Sequence, residues 1–168
     1  KLLLLAQSDA GQLPLTKESV ALSPLAADLF EDVRASASDL SIETQIAPDV
    51  TVSADKDLLR QLIQNLFSNA VKYNVPNGKI RGKLAVEGGV VAFAIANTFD
   101  PANPPDPARL FQRFYRRDPS RASRVEGHGL GLSLARELAH AHGGELTAAI
   151  EEPGWLTLRL TLPIAPKS

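Results

Sequence analysis

The chain has 168 residues, 44% hydrophobic and 22% charged, which is enough apolar material for one buried core and too much for a disordered segment. Its 18 Lys and Arg stand against 19 Asp and Glu, a formal net charge of −1, so no broad electrostatic footprint for nucleic acid or anionic lipid is available. The absence of cysteine rules out disulfides, zinc fingers, iron–sulfur clusters and thiol catalysis, and leaves three histidines for soft-metal chemistry.

The first stretch, Lys1 to Leu15, places Leu2, Leu3, Leu4 and Leu5 all round one helical turn. A lone short helix cannot bury that, so the stretch reads either as a terminal helix packed on its own domain or as a cut bundle helix that wants a partner. The leucine block is far short of the roughly 18 apolar residues of a membrane helix. A chain that starts on Lys and contains no Met is expected to be an excised piece of a longer protein.

A short strand pattern over Glu18–Leu22 leads into Ser23-Pro24, which reads as an N-cap followed by proline at the first helical position. A helix through Leu25, Leu29, Phe30 and Val33 follows, then strands at Ile42–Ile46 and Val50–Val52. The strongest helical pattern runs from Asp55 to about Asn74, with Leu59, Ile63, Leu66, Phe67 and Ala70 as its apolar stripe. Lys79–Val86 and Val90–Ala96 alternate as strands around a Glu87-Gly88-Gly89 hairpin turn. A proline-rich loop from Asn97 to Pro107 precedes a short helix around Leu110–Phe114 and an Arg-rich loop to Glu126. A helix then opens at Gly127–Gly131, runs through His140 and stops at Gly143-Gly144, and strands at Glu145–Ile150 and Trp155–Leu162 turn at Pro153-Gly154. Roughly seven strands and three main helices, with the strands clustered, predict an α+β two-layer sandwich rather than a doubly wound parallel sheet.

On a helical wheel Asn65, Asn69 and Lys72 fall within an arc of about 60°, opposite the apolar stripe, with Tyr73 at its edge. Two asparagines four apart on a strong helix call for a reason, since asparagine is a mediocre helix former. An amide oxygen is a hard ligand suited to Mg²⁺, and a lysine one turn on can neutralise phosphate; an ordinary solvated face is the competing reading. Gly127-x-Gly129-x-Gly131 precedes a helix start, where unpaired N–H groups can meet an anion, but its spacing is neither the dinucleotide fingerprint nor a P-loop.

Taken in order, three segments resemble the motifs of sensor histidine kinases. Asn65-Leu-Phe-Ser-Asn69-Ala-Val-Lys72-Tyr73 is similar to the family's N box, Leu110–Arg116 to its F box, and Gly127-His-Gly129-Leu130-Gly131-Leu to its second glycine box. The resemblance covers nearly the whole chain from Val20 to Leu162. It implies the Bergerat-type fold, a mixed sheet packed on three helices, over residues 16–168, with residues 1–15 as the end of a dimerisation helix and linker. It implies ATP and Mg²⁺ as ligands. Asn69 would bind Mg²⁺ with Asn65 in support, and Lys72 and Arg116 would reach phosphates. Tyr73 would pack near adenine, and Tyr115 to Glu126 would form a lid joined to the glycine loop of Gly127, Gly129, Leu130 and Gly131. Related ATPases carry glutamate at the position of Asn65; an amide cannot act as a general base, which favours transfer to a protein acceptor over hydrolysis.

The sequence departs from the family pattern where an Asp should accept a hydrogen bond from the adenine amino group. The spacing puts Asn97 there, with Phe99 and Pro101 in place of glycines and Asp100 three residues too late. Asn97 still offers an amide oxygen but loses a charge-assisted bond. None of His128, His140 and His142 sits in the setting of the family's phosphorylated histidine, so the acceptor is expected on a dimerisation domain outside these residues. A response regulator as partner, and a homodimeric, membrane-anchored protein with this domain in the cytoplasm, are implied with it; nucleic acid is not. The Arg113–Arg124 cluster reads as a solvated basic face apart from Arg116, and Trp155 and Phe93 as core. The alternatives are a docking module of the same fold that has lost its purine site, suggested by Asn97 and Phe99, and a protein-serine kinase of the anti-sigma type.

Overall fold

The structure is a computed structural model that describes residues 14–112 and 131–165. Seven strands and three helices lie among the described residues: β1 (Glu18–Ala21), α1 (Leu22–Ser36), β2 (Ser41–Ile46), β3 (Thr51–Ala54), α2 (Lys56–Lys72), β4 (Lys79–Glu87), β5 (Val90–Thr98), α3 (Gly131–Ala141), β6 (Glu145–Glu152) and β7 (Trp155–Pro163). Five strands form one mixed sheet in the order β2-β4-β5-β7-β6, with β2 parallel to β4 and the other pairs antiparallel. β1 and β3 pair separately as an antiparallel ribbon. This is the expected α+β two-layer sandwich.

Alternation along the strands sends one row of side chains to the helices. Ile80 and Leu84 of β4, Phe93 and Ile95 of β5, and Leu158 and Leu160 of β7 are all essentially inaccessible to solvent. The stripes of α1 (Leu22, Leu25, Leu29, Phe30) and α2 (Leu59, Ile63, Leu66, Phe67) close over them. Phe30 meets Phe67 edge-on with centroids 4.6 Å apart, and Phe67 meets Phe93 at 6.1 Å, so three aromatic rings tie α1, α2 and β5 together.

The helix ends explain themselves locally. Asp55 caps α2 through a bond accepted from the Leu58 N–H at 3.2 Å. α3 stops in a Schellman turn: the Gly143 N–H donates to the His140 carbonyl at 3.0 Å and the Gly144 N–H to that of Ala139 at 2.9 Å, with Gly143 at φ +76°. Gly88 and Gly89, at φ +57° and +82°, make the tight β4–β5 turn.

Four expectations change. α1 begins one residue before Ser23, with Ala21 as N-cap; the Leu22 N–H is satisfied by the Val50 carbonyl, and the Ser23 hydroxyl instead bridges the Ala47 carbonyl and the Val50 N–H. β5 runs on through Asn97 and Thr98, because the ladder to β7 continues to Trp155, so the proline-rich loop starts two residues later. Leu110 to Gln112 lies in turns rather than a helix. Trp155 alternates with the buried Leu156 and so faces away from the helices, under the Arg81 guanidinium at 3.9 Å; Arg81 is also paired with Glu152 at 3.0 Å.

Candidate functional site

The polar arc of α2 is not a solvated face. Asn65 and Asn69 are both half-buried. Asn65 Nδ2 donates to the Gly131 carbonyl at 3.2 Å, joining the middle of α2 to the first residue of α3. One turn further, Asn69 Oδ1 is buried and has no hydrogen-bond partner. Lys72 ends the helix and Tyr73 is its C-cap, the Tyr73 N–H donating to the Asn69 carbonyl at 3.2 Å; both side chains are half-buried.

At the end of β5, Asn97 is 1% exposed, and its Oδ1 is likewise buried without a partner. Its Nδ2 donates to the Thr98 carbonyl at 2.8 Å. That bond fixes the orientation of the amide, since the reverse would set two oxygens against each other, and leaves the carbonyl as the group on offer. A buried acceptor left unpaired costs about 1–3 kcal/mol. Among the described residues, Asn69 and Asn97 hold the side-chain atoms in this condition, and both belong to the set singled out from the sequence. An unpartnered neutral oxygen on Asn69 fits a hard cation that keeps most of its waters, and one on Asn97 fits an amino group.

Phe99 belongs to the buried core and is anchored by its N–H to the Gly154 carbonyl at 3.1 Å. Asp100 is exposed and accepts from the Ala102 N–H at 2.9 Å, a local turn that does not replace Asn97. Arg116, Gly127, Gly129 and Leu130 lie outside the described residues, as do Arg113, Arg121, Arg124 and His128; of the glycine loop only Gly131 is placed.

Sequence reasoning passed over Asn74 and Thr98. Asn74 is 7% exposed; its Oδ1 accepts from the Thr98 hydroxyl at 2.6 Å and from the Val75 N–H at 2.8 Å, and its Nδ2 donates to the Lys79 carbonyl at 3.0 Å. The available signal was a polar residue directly after a helix end and before Val-Pro-Asn-Gly, a place where a side chain must replace lost backbone bonds.

The far ends of α2 and α3 are stitched too. His142 is buried, with Nδ1 at 2.7 Å from the Leu138 carbonyl and Nε2 accepting from the Asp55 N–H at 3.2 Å, which is structural work rather than metal binding. Burial acts to raise the Asp55 carboxyl, but the N–H groups of Thr16, Leu58 and Asp57 outweigh it and hold the pKa below the ordinary value. Glu145 behaves alike: burial is outweighed by the Leu146 N–H, His140 and Arg136. No group of three or more His, Cys, Asp or Glu is placed to hold a metal among the described residues.

Comparison with known proteins gives the family and the fold. Residues 54–166 match the family model of histidine kinase-, DNA gyrase B- and HSP90-like ATPases, and the chain belongs to that family. Its relatives there are sensor kinases. It is 40% identical over 88% of its length to the probable sensor protein PcoS of Escherichia coli, of which the match covers 32%. Over 99% of its length it superposes on a full-length ShkA crystal structure in complex with AMPPNP (TM-score 0.79, 27% identity, 35% of that chain). It superposes over 90% of its length on the mycobacterial sensor histidine kinase MprB (TM-score 0.75, 24% identity, all of that chain). The chain spans about a third of the curated relatives' length. No helix among the described residues is long and apolar enough to cross a membrane.

Proposed function

We propose that this chain is the catalytic domain of a two-component sensor kinase, that it holds Mg²⁺ and ATP along the amide-bearing side of α2, and that it presents the γ-phosphoryl group to a histidine on a dimerisation domain. The observation that carries the reading is the pair of buried, unpartnered amide oxygens, Asn69 Oδ1 and Asn97 Oδ1. Asn97 accepts from the adenine amino group. Asn69 supplies one neutral oxygen to the cation, with Asn65 behind it. Lys72 and Arg116 meet phosphate oxygens, Tyr73 packs near the base, and the backbone of Gly127, Gly129, Leu130 and Gly131 caps the triphosphate. When bound, the magnesium ion neutralises phosphate charge as it develops in transfer.

An amide takes no proton from water, so Asn65 in place of a carboxylate favours positioning and charge neutralisation over activating a hydrolytic water, and one of its amide N–H groups instead donates to the Gly131 carbonyl. The acceptor histidine, the response regulator that receives the phosphoryl group, the dimer and the membrane anchor belong to the longer protein, with this domain in the cytoplasm. Residues 1–15 are read as the end of the dimerisation helix and its linker, and 16–168 as the catalytic domain.

Titration calorimetry of ATP with Mg²⁺ and with a chelator tests the site. The unsubstituted chain should bind more tightly with Mg²⁺, and Asn69→Ala should bind equally in both conditions. Mg²⁺ dependence that survives Asn69→Ala refutes the assignment. Label from γ-labelled ATP should not appear on this chain alone, since none of His128, His140 and His142 is expected to be the acceptor.

A further inference from the structure

The two unpartnered amides sit on different elements. Asn69 is one turn from the end of α2, and Asn97 is next to the last residue of β5. A nucleotide that spans them needs the helix end and the strand end at one fixed separation, because misplacement of about 1 Å in such a site costs up to ~100-fold. The backbone alone does not supply this. Between Lys72 and Lys79 the chain leaves α2 and turns through Asn77 at φ +57°, and the β4–β5 ladder begins only at the Ile80–Asn97 pair.

Side chains fill the gap. The Thr98 hydroxyl takes the Lys79 N–H at 2.9 Å and donates to Asn74 Oδ1 at 2.6 Å, while Asn74 Nδ2 donates to the Lys79 carbonyl at 3.0 Å. Both backbone groups of the first β4 residue are thus held by two side chains, one directly after the α2 C-cap and one directly after Asn97. Gly78 packs so closely that a Cβ there would run into Asn74 Oδ1 and lie 2.6 Å from Thr98 Oγ1. Three hydrogen bonds use most of the Asn74 amide, so a relaxed rearrangement would leave buried polar atoms unpaired.

We infer that Asn74 and Thr98 are positioning residues that fix the distance between the base end and the metal end of the nucleotide site. Neither is assigned a contact with the ligand; both act through Asn69 and Asn97. The inference rests on the nucleotide-binding reading above.

The test uses the 168-residue chain, with Mg·ATP and adenosine titrated by calorimetry and by chemical-shift perturbation. Adenosine engages only the base end, so its affinity should change less than about 2-fold in every variant. Mg·ATP bridges both ends and should weaken by about 10-fold or more in Thr98→Val, which keeps the shape and loses the hydroxyl. Asn74→Ala should behave alike, and Thr98→Ser, which restores the hydroxyl, should bind close to the unsubstituted chain. Unaltered Mg·ATP affinity in Thr98→Val overturns the inference. So does a parallel loss for adenosine and Mg·ATP, which is the pattern of general loosening, or a Thr98→Ser that is no better than Thr98→Val. A chain that fails to bind Mg·ATP before any substitution removes the underlying reading and this inference with it. Normal binding by the unsubstituted chain with indifferent variants removes the inference alone.

Discussion

An asparagine occupies the base-end position where the resemblance expects a carboxylate, and its surroundings show why the exchange has consequences in both directions. Asn97 gives its Nδ2 to the Thr98 carbonyl at 2.8 Å, so a carboxylate there would place an oxygen, at 1% exposure, against another oxygen. Asn97→Asp should therefore destabilise the nucleotide-free protein by about 1–3 kcal/mol, the cost of a buried polar group without its partner. If Asn97 faces the base, bound nucleotide should offset part of that cost, because a charge-assisted bond to the adenine amino group is roughly twice as strong as a neutral one. Thermal melts of the variant should start lower than those of the unsubstituted chain and rise more steeply with added ATP. An ATP-induced rise no larger than that of the unsubstituted chain would show that Asn97 does not face the base.

At the scale of elements, helix termini do much of the positioning. α2 carries Asn65, Asn69 and Lys72, and its register is set at the other end by Asp55, which caps the helix, holds the Thr16 N–H at 3.1 Å, and donates its own N–H to His142. The Asp55 pKa lies below its ordinary value: burial raises it, and three backbone N–H groups outweigh burial. A depressed folded pKa means stability that is complete above the unfolded carboxylate value and lost as pH falls through the folded one. Asp55→Ala should cost about 1 kcal/mol near neutral pH, and the difference from the unsubstituted chain should shrink in acid. Asp55→Asn keeps an acceptor for Leu58 and should recover part of that loss while flattening the acid limb; urea melts across the acid range read both effects. Of these features the start of the helix at Asp55 was legible, because the apolar period begins there; the capping bond itself is the structure's. The His142 link was not, because it joins residues 87 apart and depends on how α2 and α3 pack. Ser23 shows the opposite case: its sequence context reads as a cap, but the Val50 carbonyl reaches the helix start first.

For the whole molecule, element existence followed from periodicity: the stripes of α1 and α2 and the alternation in β4, β5 and β7 appear where hydrophobic spacing places them. Sheet order was harder to read, since the parallel β2–β4 pair joins strands separated by β3 and α2, and no local pattern encodes it. The same limit applied to the site: Asn65 and Asn69 were visible as residues out of place on a helix and Asn97 only through the spacing of the family resemblance, whereas the Asn74–Thr98–Lys79 knot exists only once β4 lies beside β5. Gly82 illustrates how the layers meet. Glycine in general weakens a strand, yet a Cβ at Gly82 would run into the Phe30 ring, with Cε1 and Cε2 at 2.6 and 2.7 Å. Glycine at this position lets α1 lie close enough for Phe30 to reach Phe67 and Phe93. Gly82→Ala should lower stability by about 1–3 kcal/mol through overpacking, despite the better strand propensity of alanine. Phe30→Leu in the same chain should recover part of the loss, because the smaller side chain frees the volume the methyl group needs. Chemical denaturation of the two single variants and the double variant measures the coupling, and strictly additive losses would mean that Gly82 is not what sets the approach of α1 to the sheet.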